Sequence, residues 1–341
     1  MMATGSVGEV ATPGEYRLPG VTLPVAVRIR EVGPRDGFQN EPEVIPTERK
    51  IELIDALART GLKRLEVTSF VRADVIPQLA DAAAVLAGID APPEVSLSVL
   101  IPNERGLDAA LELDRANARP ERRVFDEVNV FLSASETHNR KNVNRSIAES
   151  LAGLERVLAR ARGEGLRCEA VISTAFGCPY EGEVPPRRVL ELAARLHQAG
   201  AQEIAFGDTT GMANPRQVGE FFDSAFAALG RSPGADAQGG QAPELTAHFH
   251  NTRGQGLANV LAALHAGVDS FESSFGELGG CPVPAGATGN IASEDLVSML
   301  HEMGIETGID LEALLACARS VQETLGRPLG SHTLLAGAVR W

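Results

Sequence analysis

From about residue 27 the chain alternates short apolar runs with longer amphipathic ones. The strand-like runs are 27–32 (VRIREV), 63–70 (KRLEVTSF), 95–101 (VSLSVLI), 127–134 (EVNVFLSA), 168–176 (CEAVISTAF), 203–209 (EIAFGDT), 244–251 (ELTAHFHN) and 269–275 (DSFESSF). Between them lie stretches rich in Ala, Leu, Glu and Arg with helical spacing of apolar residues, such as 47–59, 145–162, 187–199 and 255–266. Eight strands alternating with helices predict a parallel sheet, and eight is the number that closes into a (β/α)8 TIM barrel. The rival, an open doubly wound sheet, usually carries fewer strands and a Gly-rich first turn, which is missing here. An extra C-terminal helix over 311–325 is expected to pack outside the barrel. The chain thus divides into an N-terminal extension (1–26), a barrel domain (27–330) and a C-terminal tail (331–341). Segment 230–243, GRSPGADAQGGQAP, cannot bury apolar area and reads as a mobile loop between a helix and the next strand. That position is the barrel face opposite the chemistry.

Composition narrows the function by exclusion. The 45 acidic against 31 basic residues leave a net charge of −14, which argues against a nucleic-acid surface, since phosphate binding needs a basic patch. No stretch approaches the ~18 apolar residues of a membrane span, and the first twenty residues hold neither an apolar signal core nor a run of arginines. Four dispersed cysteines (Cys168, Cys178, Cys281, Cys317) suit a reducing compartment. A soluble, cytoplasmic protein without nucleic-acid or membrane partners is expected.

In a barrel the chemistry sits at the C-terminal ends of the strands. After the first strand, EVGPRDGFQNE puts Arg35 and Asp36 at the exit; Asp36 suits a hard metal ion and Arg35 a developing anion, although the pair could equally be a turn salt bridge. In LEVTS, alternation puts Glu66 and Thr68 on one face and Leu65, Val67 and Ser69 on the other, so Glu66 points into the barrel as a functional carboxylate, a partner for Arg35, or both. On the seventh strand His248 and His250, two apart, share a face and can address one ion. After the eighth strand a Gly- and Pro-rich loop carries Cys281 and Asn290, the latter offering a neutral oxygen, and Ser293 is a capping-type residue for the helix that follows. Cys281 alone would also fit a small buried hydrophobe. Asp208 adds a carboxylate after the sixth strand, or caps the next helix; Cys178 reads as structural. Asp36, His248, His250 and Asn290 together offer two nitrogens and two oxygens, a set that suits Mg2+ or Mn2+ better than structural zinc.

The motifs VGPRDGFQNE (32–41), LEVTSFV (65–71), GCPYEG (177–182), GDTTG (207–211), HFHN (248–251) and GGCPVPAGATGNIASEDL (279–296) resemble the 3-hydroxy-3-methylglutaryl-CoA lyase family of the DRE-TIM metallolyases, collinearly over about residues 27–310. The resemblance implies Mg2+ or Mn2+ on Asp36, His248, His250 and Asn290, with Arg35 neutralising a thioester enolate and Cys281 acting as an acid on the loop. Glu66 and Asp208 match further polar residues of the site, and Ser69, Thr209, Gln39, Arg140 and Asn142 are the expected substrate contacts. The implied reaction is retro-Claisen cleavage of an acyl-CoA, giving acetyl-CoA and acetoacetate, by a homodimer. The sequence departs from the family wording at Val171, Ala205, Asn251, Arg253 and within 133–142, which adds His138 and Arg140 near the mouth. A different 3-hydroxyacyl-CoA such as citramalyl-CoA or a longer branched analogue is therefore a second possible substrate. The barrel and the histidine pair would also suit a condensing enzyme of the isopropylmalate synthase kind, although such enzymes generally carry a long extra C-terminal region. A catalytically silent barrel that binds acyl-CoA is disfavoured, because no metal ligand is missing and Cys281 is present.

Overall fold

A computed structural model of the chain describes residues 23–117, 122–232, 242–280 and 288–339. Its strands are β1 (Arg28–Glu31), β2 (Arg64–Ser69), β3 (Ser96–Leu100), β4 (Glu127–Ser133), β5 (Arg167–Ser173), β6 (Glu203–Asp208), β7 (Glu244–Phe249) and β8 (Ser270–Ser273). All neighbours are parallel, and β1 pairs with β8 from Arg28↔Ser270 to Glu31↔Ser273, so the sheet closes into the expected barrel. The helices are α1 (Thr47–Leu57), α2 (Ala82–Gly88), α3 (Glu104–Asn117), α4 (Glu136–Val143), α5 (Ile147–Gly163), α6 (Pro186–Gln198), α7 (Pro215–Ala228), α8 (Gly256–His265), α9 (Ser293–Glu302), α10 (Leu311–Leu325) and α11 (His332–Ala336). The extra helix α10 packs outside, on α1 and α9. Of the segment read as a mobile loop, residues 233–241 lie outside the described residues. Among the described residues no helix is long and apolar enough to cross a membrane.

Alternation along each strand sorts the side chains into two environments. The outward set, including Leu65, Val67, Val99, Val130, Ile172, Ile204, Leu245 and Phe271, joins the helices in one apolar core. Around β6 that core is aromatic, with Phe206 edge-on to Phe221 of α7 at 4.9 Å. The inward set is charged. Arg30, 2% exposed, donates to Glu127 (2.8 Å) and Glu272 (3.1 Å) and pairs with Glu169. Arg64 bonds both Glu127 and Glu203 at 2.6 Å. A barrel usually fills this space with branched aliphatics; here paired ions fill it, which is tolerable only because each charge meets its opposite.

One departure from simple alternation lies in β2, where the register shifts between Glu66 and Thr68, so that Val67 is an extra residue. Ser293 opens α9 but does not cap it. Its hydroxyl donates to Glu31 (2.6 Å) and lies 2.8 Å from Ser273 Oγ, because the helix starts flush against the end of β1. The next residue, Glu294, is fully buried and accepts from the Gly276 backbone N–H, at 3.0 and 3.1 Å.

Burial, with Glu31 and Asp295 nearby, pushes the Glu294 carboxyl up to about 8. A folded-state value above the unfolded one means that the folded protein favours the protonated acid. Its stabilising contribution is complete below about pH 4.5 and is lost as pH rises through about 8. Glu294→Gln, which stays neutral, is therefore expected to match the parent near pH 5 and to exceed its stability by on the order of 5 kcal/mol at pH 9. Thermal melts of both proteins across this range test it; parallel pH profiles would refute it.

Candidate active site

The site begins where β1 ends. Residues Gly33–Gly37 form one wide π turn, closed by the Phe38 N–H reaching Gly33 O, a geometry that concentrates at functional sites. Only glycine fits at 33: a Cβ would stand 2.7 Å from the Glu31 carboxylate and 2.8 Å from both Phe275 and Ser274 Oγ. The turn sends Arg35 and Asp36 to the barrel mouth. Arg35 places Nε 2.7 Å and Nη2 2.5 Å from Glu66 Oε2, and Nη1 2.6 Å from Asp36 Oδ1. Burial opposes the charge on Arg35, but Glu66 and Asp36 overcome it and hold the guanidinium protonated. Burial opposes ionisation of Asp36 too, yet Arg35 and the two histidines bring its carboxyl below the usual range. Burial dominates at Glu66 and pushes it up to about 7 against the pull of Arg35.

Across the barrel, β7 and its exit bring His248 Nε2 and His250 Nε2 to 3.2 Å. Two ligands at right angles around an ion ~2.1 Å away would be about 3 Å apart, so this spacing suits a shared cation. Asp36, His248 and His250 have donor atoms all within 4.8 Å of one another. Burial pushes His250 down to about 3, so its ring is a neutral donor. Asn290, wholly buried, donates through Nδ2 to Asp36 Oδ2 (2.8 Å) and Leu278 O (3.0 Å), while its Oδ1 has no partner among the described residues. A buried acceptor left open beside two imidazoles and a carboxylate is what a hard divalent ion would complete. Gly279, at φ +102°, lets the loop pass over these ligands; a Cβ there would come within 2.6 Å of Asn290 Nδ2.

These residues form one end of a cavity of about 310 Å3 at the C-terminal ends of the strands. Val71, Ile76, Leu100, Phe131 and Val171 supply apolar wall, and His138, Asn142, Thr209 and Gly280 also line it. Gln39 lines it while donating to Asp36 Oδ1 at 2.9 Å.

Arg35, Asp36, Gln39, Asn142, Thr209, His248 and His250 therefore share one cavity, with Glu66 and Asn290 directly behind. Other expected contacts lie apart from it. Ser69 is buried and its hydroxyl accepts from the Val71 N–H (3.4 Å); the exposed Arg140 pairs with Glu136 one helical turn away (2.8 Å). Asp208 accepts from the backbone N–H groups of Met212 (2.8 Å) and Ala213 (3.1 Å), and so fastens the loop after β6; Asn214 caps α7 instead. Cys281 lies outside the described residues. Cys178 is buried, its sulfur accepting from the Tyr180 N–H. Among the departures from the family wording, Val171 and His138 line the cavity. Asn251 instead accepts from Gly256 N–H, and Arg253 donates to Thr210 and Gly211 carbonyls, so these two hold loop backbone.

Two contributors escaped the reading of the sequence. Asn129 lines the cavity and donates to Glu66 Oε1 (2.9 Å), its own Oδ1 unpartnered among the described residues; Glu272 also lines it and meets His248 Nδ1 at 2.8 Å. The signal was available, since Glu127 and Asn129 in EVNV, and Ser270 and Glu272 in SFES, repeat polar residues at the period of two that faces a barrel interior. Asn290→Ala is expected to weaken Mn2+ binding about tenfold or more, measured by calorimetry; unchanged affinity would remove Asn290 from the ligand set.

Residues 26–321 match the family model described as HMGL-like. The chain is 46% identical over 311 residues to the hydroxymethylglutaryl-CoA lyase of Bacillus subtilis, covering 91% of this chain and 97% of that one. It is 44% identical to the mitochondrial hydroxymethylglutaryl-CoA lyase of rat, over 92% of this chain and 90% of that one. An HMG-CoA lyase from Acinetobacter baumannii, solved with coenzyme A and 3-methylmalate, superposes with a TM-score of 0.82 at 40% identity, covering 92% of this chain and 95% of that one. With the closed barrel and the clustered Asp36, His248 and His250 already in place, these matches make the chain a member of the HMGL-like family.

Proposed function

We propose that this protein is a carbon–carbon lyase that cleaves 3-hydroxy-3-methylglutaryl-CoA to acetyl-CoA and acetoacetate in a divalent-metal-dependent retro-Claisen reaction. The observation that carries the reading is the Asp36–His248–His250 cluster facing the same cavity as a charged Arg35, in a chain whose relatives bear this activity in their names. The ligands would be Asp36, His248, His250 and Asn290 Oδ1, and the ion Mg2+ or Mn2+, since half the set is oxygen. When bound, the metal supplies Lewis-acid polarisation of the substrate oxygens.

The protein's own groups do the rest. The tertiary hydroxyl gives its proton to a base at the cavity, the C2–C3 bond breaks to leave the ketone, and its electrons pass into the thioester as an enolate, which then takes a proton at C2. Arg35 meets the negative charge that develops on the thioester oxygen, where a fixed cation in a water-poor site is most effective. Glu66 holds two guanidinium nitrogens, so that Arg35 is oriented before substrate arrives. Cys281 delivers the proton from the Gly-rich loop. Asp208 keeps the loop after β6 in shape, and Gln39, Thr209, Asn142, Ser69 and Arg140 serve the acyl-CoA. The working form is a cytoplasmic homodimer, with 27–330 as the lyase domain. Binding of coenzyme A by the Acinetobacter relative supports the acyl-CoA assignment.

Acetyl-CoA release from 3-hydroxy-3-methylglutaryl-CoA, citramalyl-CoA and a longer branched analogue, with Mg2+ and with EDTA, tests this directly. Metal-dependent cleavage of the first is expected; cleavage of another alone would move the substrate, and no cleavage even with Mn2+ would sink the lyase. Arg35→Met is expected to lower kcat by at least about 10²-fold while Mn2+ still binds. A variant of near-parental kcat would remove Arg35 from the chemistry.

A further inference from the structure

Glu272 has no place in the reaction as described, yet it is 2% exposed and touches both the site and the charged barrel interior. Resting on the metal reading of the Asp36–His248–His250 cluster, we propose that Glu272 is a positioning residue that fixes His248 as an Nε2 ligand.

The geometry is restrictive. Glu272 sits on β8 directly opposite His248 in register, and its Oε2 lies 2.8 Å from His248 Nδ1. A carboxylate only accepts, so the hydrogen must reside on Nδ1, and the Nε2 lone pair is then turned toward Asp36 and His250. The other oxygen, Oε1, accepts from Arg30 Nη1 at 3.1 Å. Arg30 in turn is held by Glu127 through Nη2 at 2.8 Å and by Glu169, so it cannot swing away. Glu272 is thereby pinned from below and pins the ligand above it. An imidazole whose far nitrogen is committed in this way loses little freedom on taking up an ion, which is why such outer partners are worth roughly 10- to 100-fold in metal affinity.

Glu272→Ala and Glu272→Gln of the full chain, made metal-free, separate this role from a merely structural one. Two-bond 1H–15N spectra of the apo-protein report the His248 tautomer, and calorimetric titration with Mn2+ alone reports affinity. The parent is expected to show the Nδ1–H form. Glu272→Ala should shift it toward Nε2–H and weaken Mn2+ binding tenfold or more, with the thermal midpoint staying above the measuring temperature. Glu272→Gln has one acceptor oxygen where the carboxylate uses two; with that oxygen taken by Arg30 its amide N–H faces Nδ1, so it should move the tautomer and the affinity in the same direction as alanine. Should the alanine variant not fold, the glutamine variant and the parental tautomer carry the test. An Nε2–H parent, or an alanine variant with parental tautomer and Mn2+ affinity within twofold, would overturn the role of Glu272. A parent of Nδ1–H form that binds no Mn2+ would instead overturn the metal reading beneath it.

Discussion

The structure turns on a buried guanidinium. Arg30 sits inside the closed barrel with Glu127, Glu169 and Glu272 around it and Glu203 within 3.6 Å, almost without access to water. An uncompensated ion there would cost several kcal/mol. Strand register, tilt and closure must therefore deliver carboxylates from four different strands to one point. The apolar core between barrel and helices gives most of the driving force for folding, as burial always does. It is indifferent to sliding of one strand by two residues, however, whereas the ion cluster is not. The charged interior thus specifies register.

The same inward positions, carried further along the strands, become the site. On β4, Glu127 serves the interior and Asn129 the cavity; on β7, Thr246 bonds Glu203 and Ser270, and His248 two residues on faces the cation site. β8 contributes Glu272, which belongs to both. Where the strands end, the backbone abandons regular geometry to aim the remaining groups: a π turn for Arg35 and Asp36, and a left-handed glycine for the passage above Asn290.

The barrel was legible because its two periods, two along strands and 3.6 along helices, are strong and repeat in order. Helix 311–325 was readable to the residue for the same reason. The clustering of His248 and His250 was legible because two histidines at i, i+2 on a strand share a face. What could not be read were long-range choices of partner. Asp208 offers the same carboxylate whether it faces a ligand or fastens Met212 and Ala213, and only the backbone path of the loop decides. Asn251 and Arg253 looked like pocket changes because they follow His250, yet the chain has already turned, and they bond loop carbonyls and amides. Asn129 was hidden by the opposite effect, a modest polar residue in an apolar run whose importance comes from Glu66, 63 positions away.

The joint between β1 and β8 has a consequence for how the protein comes together. Asp36 arrives from the first strand, His248 and His250 from the seventh, and Asn290 from beyond the eighth. The cation site therefore straddles the one place where the beginning and the end of the barrel meet. No contiguous half of the chain contains it, and a nascent chain lacks it until the last strand has docked on the first. An ion held there would act as a clasp on the closed ring, and capacity to bind it would mark the moment at which the barrel is complete.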